Sequence, residues 1–513
     1  MDRRSFLVQA SATTAALSFP ASVMHAQESV PIDLTLSDDP SAPEVPLNYA
    51  GLSYELAQLS DPHFFSAENQ DLVAYCRLLS PHGVLRIGGN TSEFCWFKAN
   101  ASTPEPKLHV PQGDLNANWM PHRLFAISPE AIDALAGFLK ATGWRLIYGL
   151  NFGNSTPERA AEEAAYVMRK AGAHLEFFQI GNEPDLYHNA TNGTRPAGWG
   201  FDDYAKEWKN FADAITARVP DARFGGPDVG ASSNWVTRFG EAESNLGPRL
   251  AALTGHYYAE GPPNDPRVTT ERLLAGNAKI PVEMQSIEDT ARRYGLVYRM
   301  TEGNSCYRGG KPGMSNAFAS ALWAGDYMLQ LASLGCAGVN LHGGSGAFLS
   351  AGLGDHTPGL EVAKTPQTMR AGFYTPIATE PGRAIEAMPI FYGMLLANQF
   401  AGSKFLRTSA NMQSVNATAY AAKHNKSEIV AIFNKDSNRS VDVSIRASGT
   451  VKSARAWRLE APALDSTDGV TLAGAPILSH AQWHAKVSEP VAVNNAIARI
   501  RIRATSAALV FLD

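Results

Sequence analysis

The sequence predicts an α/β protein in which an eight-stranded parallel (β/α)8 TIM barrel is followed by a smaller antiparallel β-sandwich. Three observations support this prediction. Short apolar runs alternate eight times with helical stretches between residues 47 and 400, a pattern typical of parallel βα units. Beyond residue 400, apolar residues recur at every second position, as in half-buried strands. A chain of 513 residues is also long enough for more than one domain.

The predicted barrel elements follow one another in regular order. The strand-like runs are 47–52, 84–87, 145–150, 177–181, 223–226, 253–257, 297–301 and 337–341. The helical stretches are 71–79, 129–142, 158–170, 204–219, 283–294, 315–334 and 385–397. Ser155 or Thr156 can cap the third helix, with Pro157 in its first turn. In a closed barrel the reactive side chains lie where strands end, so those positions are the ones to inspect.

The segments outside the barrel have the pattern of strands. Six short β-rich runs, separated by Asn, Asp, Gly and Pro, lie at 414–422, 428–433, 440–445, 451–459, 497–503 and 507–512. An earlier run alternates in the same way, with Val30, Ile32, Leu34 and Leu36 apolar. We therefore predict an N-terminal strand segment at 27–46 that pairs with the β-sandwich, a barrel at 47–400, and the β-sandwich itself at 401–513.

Residues 1–26 have the order of a twin-arginine export signal. Arg3 and Arg4 precede a mildly apolar stretch from Ala10 to about Val23, and Ala26 suits cleavage. The stretch is too short and too rich in Ser and Thr to span a membrane, and no later stretch is apolar enough to do so. We expect a bacterial protein that is exported after folding, to the periplasm or the medium.

Composition argues against several kinds of partner. The formal net charge is −5 and no block of basic residues occurs, so nothing indicates nucleic acid or the cationic surface that grips a polysulfated chain. The four cysteines form no CxxC pair and no metal-ligand spacing, and we expect no metal. A Cys76–Cys95 bridge is one pairing that an oxidising compartment would favour. Nothing in the sequence specifies an oligomeric state.

Two glutamates follow predicted strands on opposite sides of the barrel. Glu183 comes just after the fourth strand, in Asn182-Glu183-Pro184, and Glu302 comes just after the seventh. Either glutamate alone is more simply explained as a helix cap or a surface ion pair. Together they can flank one glycosidic bond, where a protonated carboxyl donates to the leaving oxygen and an ionised one attacks the anomeric carbon. We expect Glu183 to be the general acid/base and Glu302 the nucleophile.

Two neighbours support this pair of glutamates. The amide of Asn182 can hold a sugar 2-hydroxyl, a contact that strengthens in the transition state. Arg86 ends the second strand, where it either pairs with Glu302 and keeps that carboxylate ionised, or only links barrel strands. Acid, base and nucleophile are all side chains, so this chemistry needs no metal and no organic cofactor.

At these positions the sequence resembles glycoside hydrolase family 79, the family of bacterial β-glucuronidases and heparanase. The matching stretches are 51–55, 85–90, 179–184, 256–258, 301–312, 318–324 and 339–344, spread over residues 47 to 345. The resemblance implies the same roles for Glu183, Glu302 and Asn182. It further implies that Glu55 accepts from a ring hydroxyl and that Tyr257 orients the nucleophile. Tyr307 and the backbone at Gly309 and Lys311 would meet the substrate carboxylate.

The sequence departs from the family pattern after His342-Gly343-Gly344. The family soon reaches a tyrosine that helps to bind the uronate carboxylate, whereas here residues 345–373 intervene before Tyr374. Either Tyr374 fills that role, or the longer segment reshapes or covers the pocket. This difference bears on the substrate more than on the type of reaction.

The leading hypothesis is a retaining exo-β-glucuronidase that releases terminal glucuronic acid, or its 4-O-methyl form, from glycosides or oligosaccharides. A heparanase-like endo-enzyme on glycosaminoglycans is an alternative that the acidic composition disfavours. A barrel glycosidase for another sugar is a second alternative. It is disfavoured by Tyr307 and by the glycine-rich loop Arg308-Gly309-Gly310-Lys311-Pro312, whose backbone amides could hold a carboxylate. A non-catalytic carbohydrate-binding protein is disfavoured because both glutamates are present.

Overall fold

The computed structural model describes residues 29–108, 120–121, 123–188, 194–354, 372–380, 382–412, 415–424 and 427–513. The predicted export segment and most of the 345–373 segment lie outside these residues. No helix in the described ranges is long and apolar enough to cross a membrane.

The strands up to the end of the barrel are β1 (Ser29–Ser37), β2 (Ala50–Glu55), β3 (Val84–Gly88), β4 (Cys95–Phe97), β5 (Phe125–Ile127), β6 (Arg145–Leu150), β7 (Leu175–Ile180), β8 (Phe224–Val229), β9 (Leu250–Glu260), β10 (Tyr298–Cys306) and β11 (Val339–Gly343). The later strands are β12 (Ile377–Ala378), β13 (Glu386–Ala387), β14 (Lys404–Phe405), β15 (Arg407–Ser409), β16 (Ala417–His424), β17 (Ser427–Asn434), β18 (Ser440–Arg446), β19 (Ala454–Glu460), β20 (Thr471–Leu472), β21 (Glu489–Asn494), β22 (Ile497–Ile502) and β23 (Ser506–Leu512).

The helices are α1 (Gln70–Leu79), α2 (Pro129–Thr142), α3 (Pro157–Ala171), α4 (Phe201–Arg218), α5 (Ser233–Ala242), α6 (Thr270–Ala275), α7 (Ile280–Tyr294), α8 (Phe318–Ser333), α9 (Gly346–Ala351) and α10 (Pro389–Ala397). Local signals explain where several of them begin. Thr156 accepts from the Arg159 N–H at the start of α3, and Pro157 occupies its first turn. Ser128 caps α2 in the same manner, ahead of Pro129.

Eight parallel strands close into a barrel in the order β2-β3-β6-β7-β8-β9-β10-β11, with β11 pairing back to β2. The strands carry continuous apolar runs because the helices bury their outer faces. Trp144, Trp208, Tyr148 and Phe138 are among the largest fully buried side chains of the core between strands and helices. This architecture confirms the predicted (β/α)8 fold class, with a separate antiparallel sheet domain after it.

The second domain is an eleven-stranded sheet with the strand order β14-β16-β17-β23-β19-β21-β22-β18-β1-β15, and β20 pairs with β19. Most neighbours are antiparallel, but β1 runs parallel to β18. The alternating Ile32, Leu34 and Leu36 of β1 lie in this domain's own apolar core. The N-terminal strand is therefore part of the C-terminal sheet.

The four cysteines are buried free thiols. The Cys76–Cys95 bridge that an oxidising compartment would favour is not formed. Burial raises the pKa of the Cys76 thiol well above its usual range, so this thiol stays protonated and unreactive.

Candidate active site

A pocket of about 430 Å³ opens at the carboxyl ends of the barrel strands. This is the face on which barrel enzymes carry their reactive groups. Its wall combines three carboxylates with aromatic, cationic and small side chains. The lining residues are Glu55, Asn90, Glu183, Leu186, Gly230, Ala231, Tyr258, Glu302, Tyr307, Arg308, His342, Leu349, Leu353 and Tyr374.

Glu302 lies within β10 and is surrounded by groups that favour its ionised form. Tyr258 Oη donates to Oε1 at 2.8 Å, and Arg86 Nη1 donates to Oε2 at 2.5 Å. Burial alone would raise the pKa of Glu302. This effect of burial is outweighed by the coulombic attraction of His342, His256 and Arg86, together with the Tyr258 hydrogen bond. The pKa of Glu302 is therefore lowered to about 2. Glu302 is therefore a carboxylate at neutral pH.

Glu183 follows β7 and has the opposite protonation preference. Its backbone is left-handed, with φ 51°, and its N–H donates to the Asp228 carbonyl at 2.8 Å. A non-glycine residue in that region is uncommon and is typical of functional sites. Burial raises the pKa of Glu183, and the neighbouring Glu302 charge acts in the same direction. The His256 hydrogen bond opposes the rise without reversing it.

The two glutamates lie close enough to act on one bond. A carboxylate oxygen of Glu183, one of Glu302 and a ring nitrogen of His256 are all within 4.8 Å of one another. These three groups also have the spacing of a metal site. However, positive charge from the chain already lies beside both carboxylates, since Arg86 contacts Glu302 and His256 contacts Glu183.

Arg86, which is fully buried within β3, connects the two halves of the site. Besides Glu302, its Nη1 reaches Ser53 Oγ at 3.2 Å, and its Nη2 donates to Asn182 Oδ1 at 2.7 Å and to Asp228 Oδ2 at 2.6 Å. Its Nε donates to Gln179 Oε1 at 3.1 Å. Every N–H group named here points at an acceptor, which a buried guanidinium requires. The pairing of Arg86 with Glu302 is thus present, and Arg86 links strands as well.

His256 lies between Glu183 and Asp228. Its Nδ1 is 3.1 Å from Glu183 Oε1, and its Nε2 is 3.1 Å from Asp228 Oδ1, within ion-pair distance although out of line for a directional hydrogen bond. Burial acts to lower the pKa of His256, but the Asp228 and Glu302 charges raise it to about 10. The pKa of Asp228 is held well below its usual range, because Arg86 and His256 outweigh the effect of its burial.

Glu55 occupies the wall formed by β2 and β11. Its Oε2 accepts from the Thr91 N–H at 2.8 Å and from Thr91 Oγ1 at 2.7 Å. Its Oε1 lies 3.5 Å from His342 Nε2, while His342 Nδ1 contacts Ser53 Oγ at 2.9 Å. One oxygen of Glu55 is thus held by the chain, and the residue faces the pocket with the other.

Asp185 shapes the wall beside Glu183. Its carboxylate accepts the N–H groups of Gly230 at 2.8 Å, Ala231 at 3.0 Å and Ser232 at 3.0 Å. This draws the loop after β8 against Glu183, so that a Cβ on Gly230 would lie 2.7 Å from Glu183 Oε1. The close approach explains why the position is a glycine.

The segment after β11 forms another wall of the pocket. Helix α9 and the residues behind it bring Leu349 and Leu353 into the lining. Gly352 packs directly on Glu55, and its carbonyl accepts from Asn90 Nδ2 at 2.9 Å. Tyr374 lies beside Tyr258, with ring centroids 6.2 Å apart. The beginning of the 345–373 segment therefore contributes to the site, whereas residues 355–371 lie outside the described ranges.

The structure places Glu55, Glu183, Glu302, Tyr307 and Tyr374 together in the pocket lining. Asn182 lies just beneath it: Oδ1 accepts from Arg86, and Nδ2 donates to Asn90 Oδ1 at 3.2 Å. The buried Glu93 accepts the Asn182 N–H at 2.7 Å and so holds its backbone.

Two expectations need correction. Tyr257 does not contact Glu302. Its ring stacks on Tyr327 with a 5.0 Å centroid distance, and Asn277 Nδ2 donates to its hydroxyl at 3.4 Å, because it projects from the other side of β9. The phenol that donates to Glu302 belongs to Tyr258.

The second correction concerns the glycine-rich loop. Gly309 and Lys311 are not among the lining residues. The Lys311 N–H is occupied by Ser315 Oγ at 2.9 Å, and its ammonium donates to the Val268 carbonyl. Gly309 has φ 85° and serves the turn.

Several site residues were not predicted, although strand alternation and the barrel rule offer signals for them. His256 and Tyr258 stand in the motif His256-Tyr257-Tyr258, where alternation along the strand separates them from Tyr257. Asp228 and His342 end strands β8 and β11, the positions that the barrel rule identifies. Arg308 follows Tyr307 in the glycine-rich loop, for which only backbone contacts with the substrate were predicted.

Comparisons with known proteins were made for sequence and for structure. No family model matches the chain. It is 27% identical over 377 residues to a beta-glucuronidase of Aspergillus niger, covering 66% of each protein. It is also 27% identical over 347 residues to a beta-glucuronidase of Neurospora crassa, covering 60% of each. The matched region thus spans slightly less than two thirds of these curated relatives.

Solved structures share the fold. A 4-O-α-L-rhamnosyl-β-D-glucuronidase from Fusarium oxysporum, solved as a Rha-GlcA complex, superposes with a TM-score of 0.72 at 18% identity, covering 93% of this chain and 99% of that one. A family 51 arabinofuranosidase from Xanthomonas axonopodis superposes with a TM-score of 0.61 at 16% identity, covering 94% and 100%. Both support a barrel with an accompanying β domain.

Proposed function

We propose that this chain is a retaining β-glucuronidase that releases a terminal glucuronic acid residue, with Glu183 as general acid/base and Glu302 as nucleophile. The observation that carries the proposal is the separation of the two carboxylates. A retaining enzyme needs its carboxyl groups about 5–5.5 Å apart, whereas an inverting enzyme leaves roughly 6.5–9.5 Å for a water molecule. Oxygens of Glu183 and Glu302 within 4.8 Å of each other favour the retaining geometry.

The protonation states of the pair support the assignment of roles. Arg86, His256 and His342 keep Glu302 ionised, with its pKa lowered to about 2, as a nucleophile requires. Burial keeps Glu183 protonated to higher pH than usual, as a proton donor requires. Two carboxyl groups with opposite pKa shifts in one pocket are the pattern of an acid and a nucleophile.

In the first step, a Glu302 oxygen forms a bond to the anomeric carbon as the glycosidic C–O bond breaks. Glu183 gives its proton to the departing oxygen, so that the aglycone leaves as a neutral alcohol. The products of this step are a glycosyl ester on Glu302 and an ionised Glu183. The hydrogen bonds from Tyr258 and Arg86 to Glu302 weaken as that residue loses its negative charge. The side chain of His256 stabilises the new negative charge on Glu183.

In the second step, Glu183 takes a proton from a water molecule, and the water oxygen bonds to the anomeric carbon. The ester bond to Glu302 breaks and returns its electron pair to the carboxylate. Two displacements at one carbon leave the sugar with its original anomeric configuration. Both residues end in their starting protonation states, and no external redox partner is needed.

The walls of the pocket support action at a chain end. Strands β11 and β2 lie across the barrel from β7 and β8, where the proton donor and the leaving group meet. On that far side, Leu349 and Leu353 line the pocket and Gly352 packs on Glu55. A sugar whose anomeric carbon reaches Glu302 then has its non-reducing end against this wall, which disfavours the endo-acting alternative.

The preference for a glucuronide rests on the relatives. Both curated relatives are beta-glucuronidases, and the solved neighbour from Fusarium oxysporum is a glucuronidase acting on a rhamnosyl-capped residue. The fold, the carboxylate pair and these names all agree with the prediction of a glycoside hydrolase. The substrate carboxylate is expected to meet Tyr307 and the loop that follows β10.

The test is hydrolysis of 4-nitrophenyl β-D-glucuronide by the wild type, Glu183→Ala and Glu302→Ala. We expect nitrophenol release by the wild type and a loss of several orders of magnitude in both variants. Proton NMR of the first-formed sugar should show the β-anomer before mutarotation. The α-anomer first would disprove retention, and release of internal fragments from an oligosaccharide would disprove exo action.

A further inference from the structure

A second cavity lies where the barrel meets the sheet domain. Strand β9, helix α8, the residues between α6 and α7, and the end of β17 contribute to its wall. None of the described residues that line it also lines the active-site pocket: Tyr257 faces this cavity, whereas the adjacent Tyr258 faces the pocket. Its volume is about 330 Å³. Small-molecule sites occupy about 300–1,000 Å³, so the cavity is large enough for such a ligand.

Three stacked aromatic rings form one wall of this cavity. The Tyr327 ring stacks on Tyr257 with centroids 5.0 Å apart, and on Trp323 with centroids 5.1 Å apart. Trp323 and Tyr327 are more than nine-tenths buried, with exposed fractions of 5% and 4%. Neither the Trp323 indole N–H nor the Tyr327 hydroxyl has a hydrogen-bond partner among the residues that the structure describes. Buried donors are normally paired, so these two groups indicate a ligand that offers acceptors.

Lys435, which follows β17, brings a buried ammonium group to the same cavity. Its side chain is 5% exposed, and its Nζ donates to Asp326 Oδ2. The other oxygen of Asp326 accepts from Thr418 Oγ1 at 2.6 Å and from Tyr420 Oη at 2.8 Å. An ammonium group carries three N–H donors, and Asp326 is the one acceptor that this group meets in the described part of the chain. Lys435 therefore has donors left for a bound molecule.

The charged side chains on the cavity wall favour an anion. Lys435, Arg272 and Lys279 carry three positive charges, whereas Asp326 and Glu260 carry two negative charges. Arg272 Nε lies 2.9 Å from Glu260 Oε1, so these two charges balance each other. Lys279 is exposed, and its ammonium group has no ion-pair partner within the described ranges. Net positive charge, spare donors and an aromatic wall together suit a small ligand with a carboxylate and an apolar ring face.

We propose that this cavity is a second, non-catalytic binding site for a sugar acid, whose carboxylate pairs with Lys435 while its ring packs against the aromatic wall. Sugar hydroxyls supply the acceptors for the Trp323 and Tyr327 donors. A charge-assisted hydrogen bond is about twice as strong as a neutral one, so a neutral hexose binds more weakly. The site goes beyond the proposed hydrolysis, because its residues are separate from those around Glu183 and Glu302.

The experiment is calorimetric titration of D-glucuronate, D-glucose and acetate into the wild type, Lys435→Gln and Lys279→Gln. Lys435→Gln keeps a donor for Asp326 and removes the charge. Lys140→Gln is the matched control, since Lys140 is an exposed lysine on α2, outside the cavity lining. We expect wild-type glucuronate binding to include a site whose affinity falls at least about fivefold in both cavity variants and is unchanged in the control. Glucose and acetate should each bind this site at least about fivefold more weakly than glucuronate.

The exposed Lys279 keeps the test decisive if Lys435→Gln does not fold. No glucuronate binding, or binding that neither cavity variant weakens, would overturn the second site. Equal affinity for glucose would overturn the preference for an acid, and equal affinity for acetate would overturn recognition of the sugar. Hydrolysis of 4-nitrophenyl β-D-glucuronide by Lys279→Gln should keep the wild-type kcat, and a large loss would overturn the non-catalytic assignment. A wild type that binds glucuronate in this cavity but hydrolyses no glucuronide would contradict the proposed function alone.

Discussion

The hydroxyl of Tyr258 lies 2.8 Å from Oε1 of Glu302 and donates a hydrogen bond to it. The Tyr258 ring lies beside the rings of Tyr307 and Tyr374, with centroid distances of 6.4 Å and 6.2 Å. The bond orients the carboxylate. Tyr258 is thus placed to orient Glu302 for the proposed attack on the anomeric carbon.

Replacing Tyr258 with Phe removes this hydrogen bond and keeps the ring. A hydrogen bond to a charged group contributes about 1.5–3 kcal/mol, so we expect kcat/KM to fall by roughly 10- to 100-fold. The adjacent Tyr257→Phe variant is the control, because its hydroxyl contacts Asn277 outside the pocket. Steady-state kinetics of both variants measure the two values of kcat/KM. An equal loss of kcat/KM in both variants would contradict the role assigned to the Tyr258 hydroxyl.

Replacing Arg86 with Met removes the charge shared by Glu302, Asp228 and Asn182. Breaking a buried ion pair from one side costs about 3–5 kcal/mol, so we expect a decrease of that order in the free energy of unfolding. Denaturant unfolding measures it, with Arg238→Gln as the control, since that arginine forms an exposed pair with Asp202. A decrease below about 1 kcal/mol in the free energy of unfolding would show that the contacts of Arg86 do not stabilise the folded chain as expected.

The pH dependence of kcat/KM should have two limbs with assignable signs. Activity requires Glu302 ionised, so it is lost only as pH falls toward the lowered pKa of about 2. It requires Glu183 protonated, so it is lost as pH rises through that residue's raised pKa. The His256 imidazole lowers the pKa of both glutamates.

The His256→Gln variant should therefore shift both limbs of this profile to higher pH. Profiles of kcat/KM for the wild type and the variant, measured over the range in which each stays folded, test this expectation. A shift of either limb to lower pH would contradict the electrostatic role of His256.

Replacing Gly230 with Ala should displace the acid/base carboxyl. The added methyl group would lie 2.7 Å from Glu183 Oε1, closer than Cβ atoms approach an oxygen, and Asp185 holds the loop in place. We expect kcat to fall by at least tenfold, since small misplacements of a catalytic group have large effects. Gly449→Ala is the control because nothing lies within 4 Å of its added Cβ. A kcat equal to that of the wild type in the Gly230→Ala variant would contradict this prediction. It would mean that the loop after β8 moves to accommodate the added methyl group.

Much of the fold could be predicted from periodicity. Helices α2 and α3 begin at Pro129 and Pro157, as cap residues followed by proline predict. Strand β9 extends to Glu260, three residues past its predicted end, because its carboxyl-terminal half mixes aromatic, small and charged residues and does not alternate cleanly. Strands β14, β15 and β20 were not predicted, since each has only two or three residues. Strand β21 was not predicted because its run contains Pro490.

The amino-acid sequence by itself determined the barrel and the positions of Glu183 and Glu302, since both depend on local patterns: apolar runs, turn residues and strand order. Only the tertiary structure decided that Tyr258 and not Tyr257 meets the nucleophile. The two differ by one residue along β9, so they project to opposite sides of the strand. The register of β9 against β8 and β10 is irregular near Val229 and Glu302. Such shifts arise from packing between distant segments, and local sequence does not encode which side of the strand then faces the substrate.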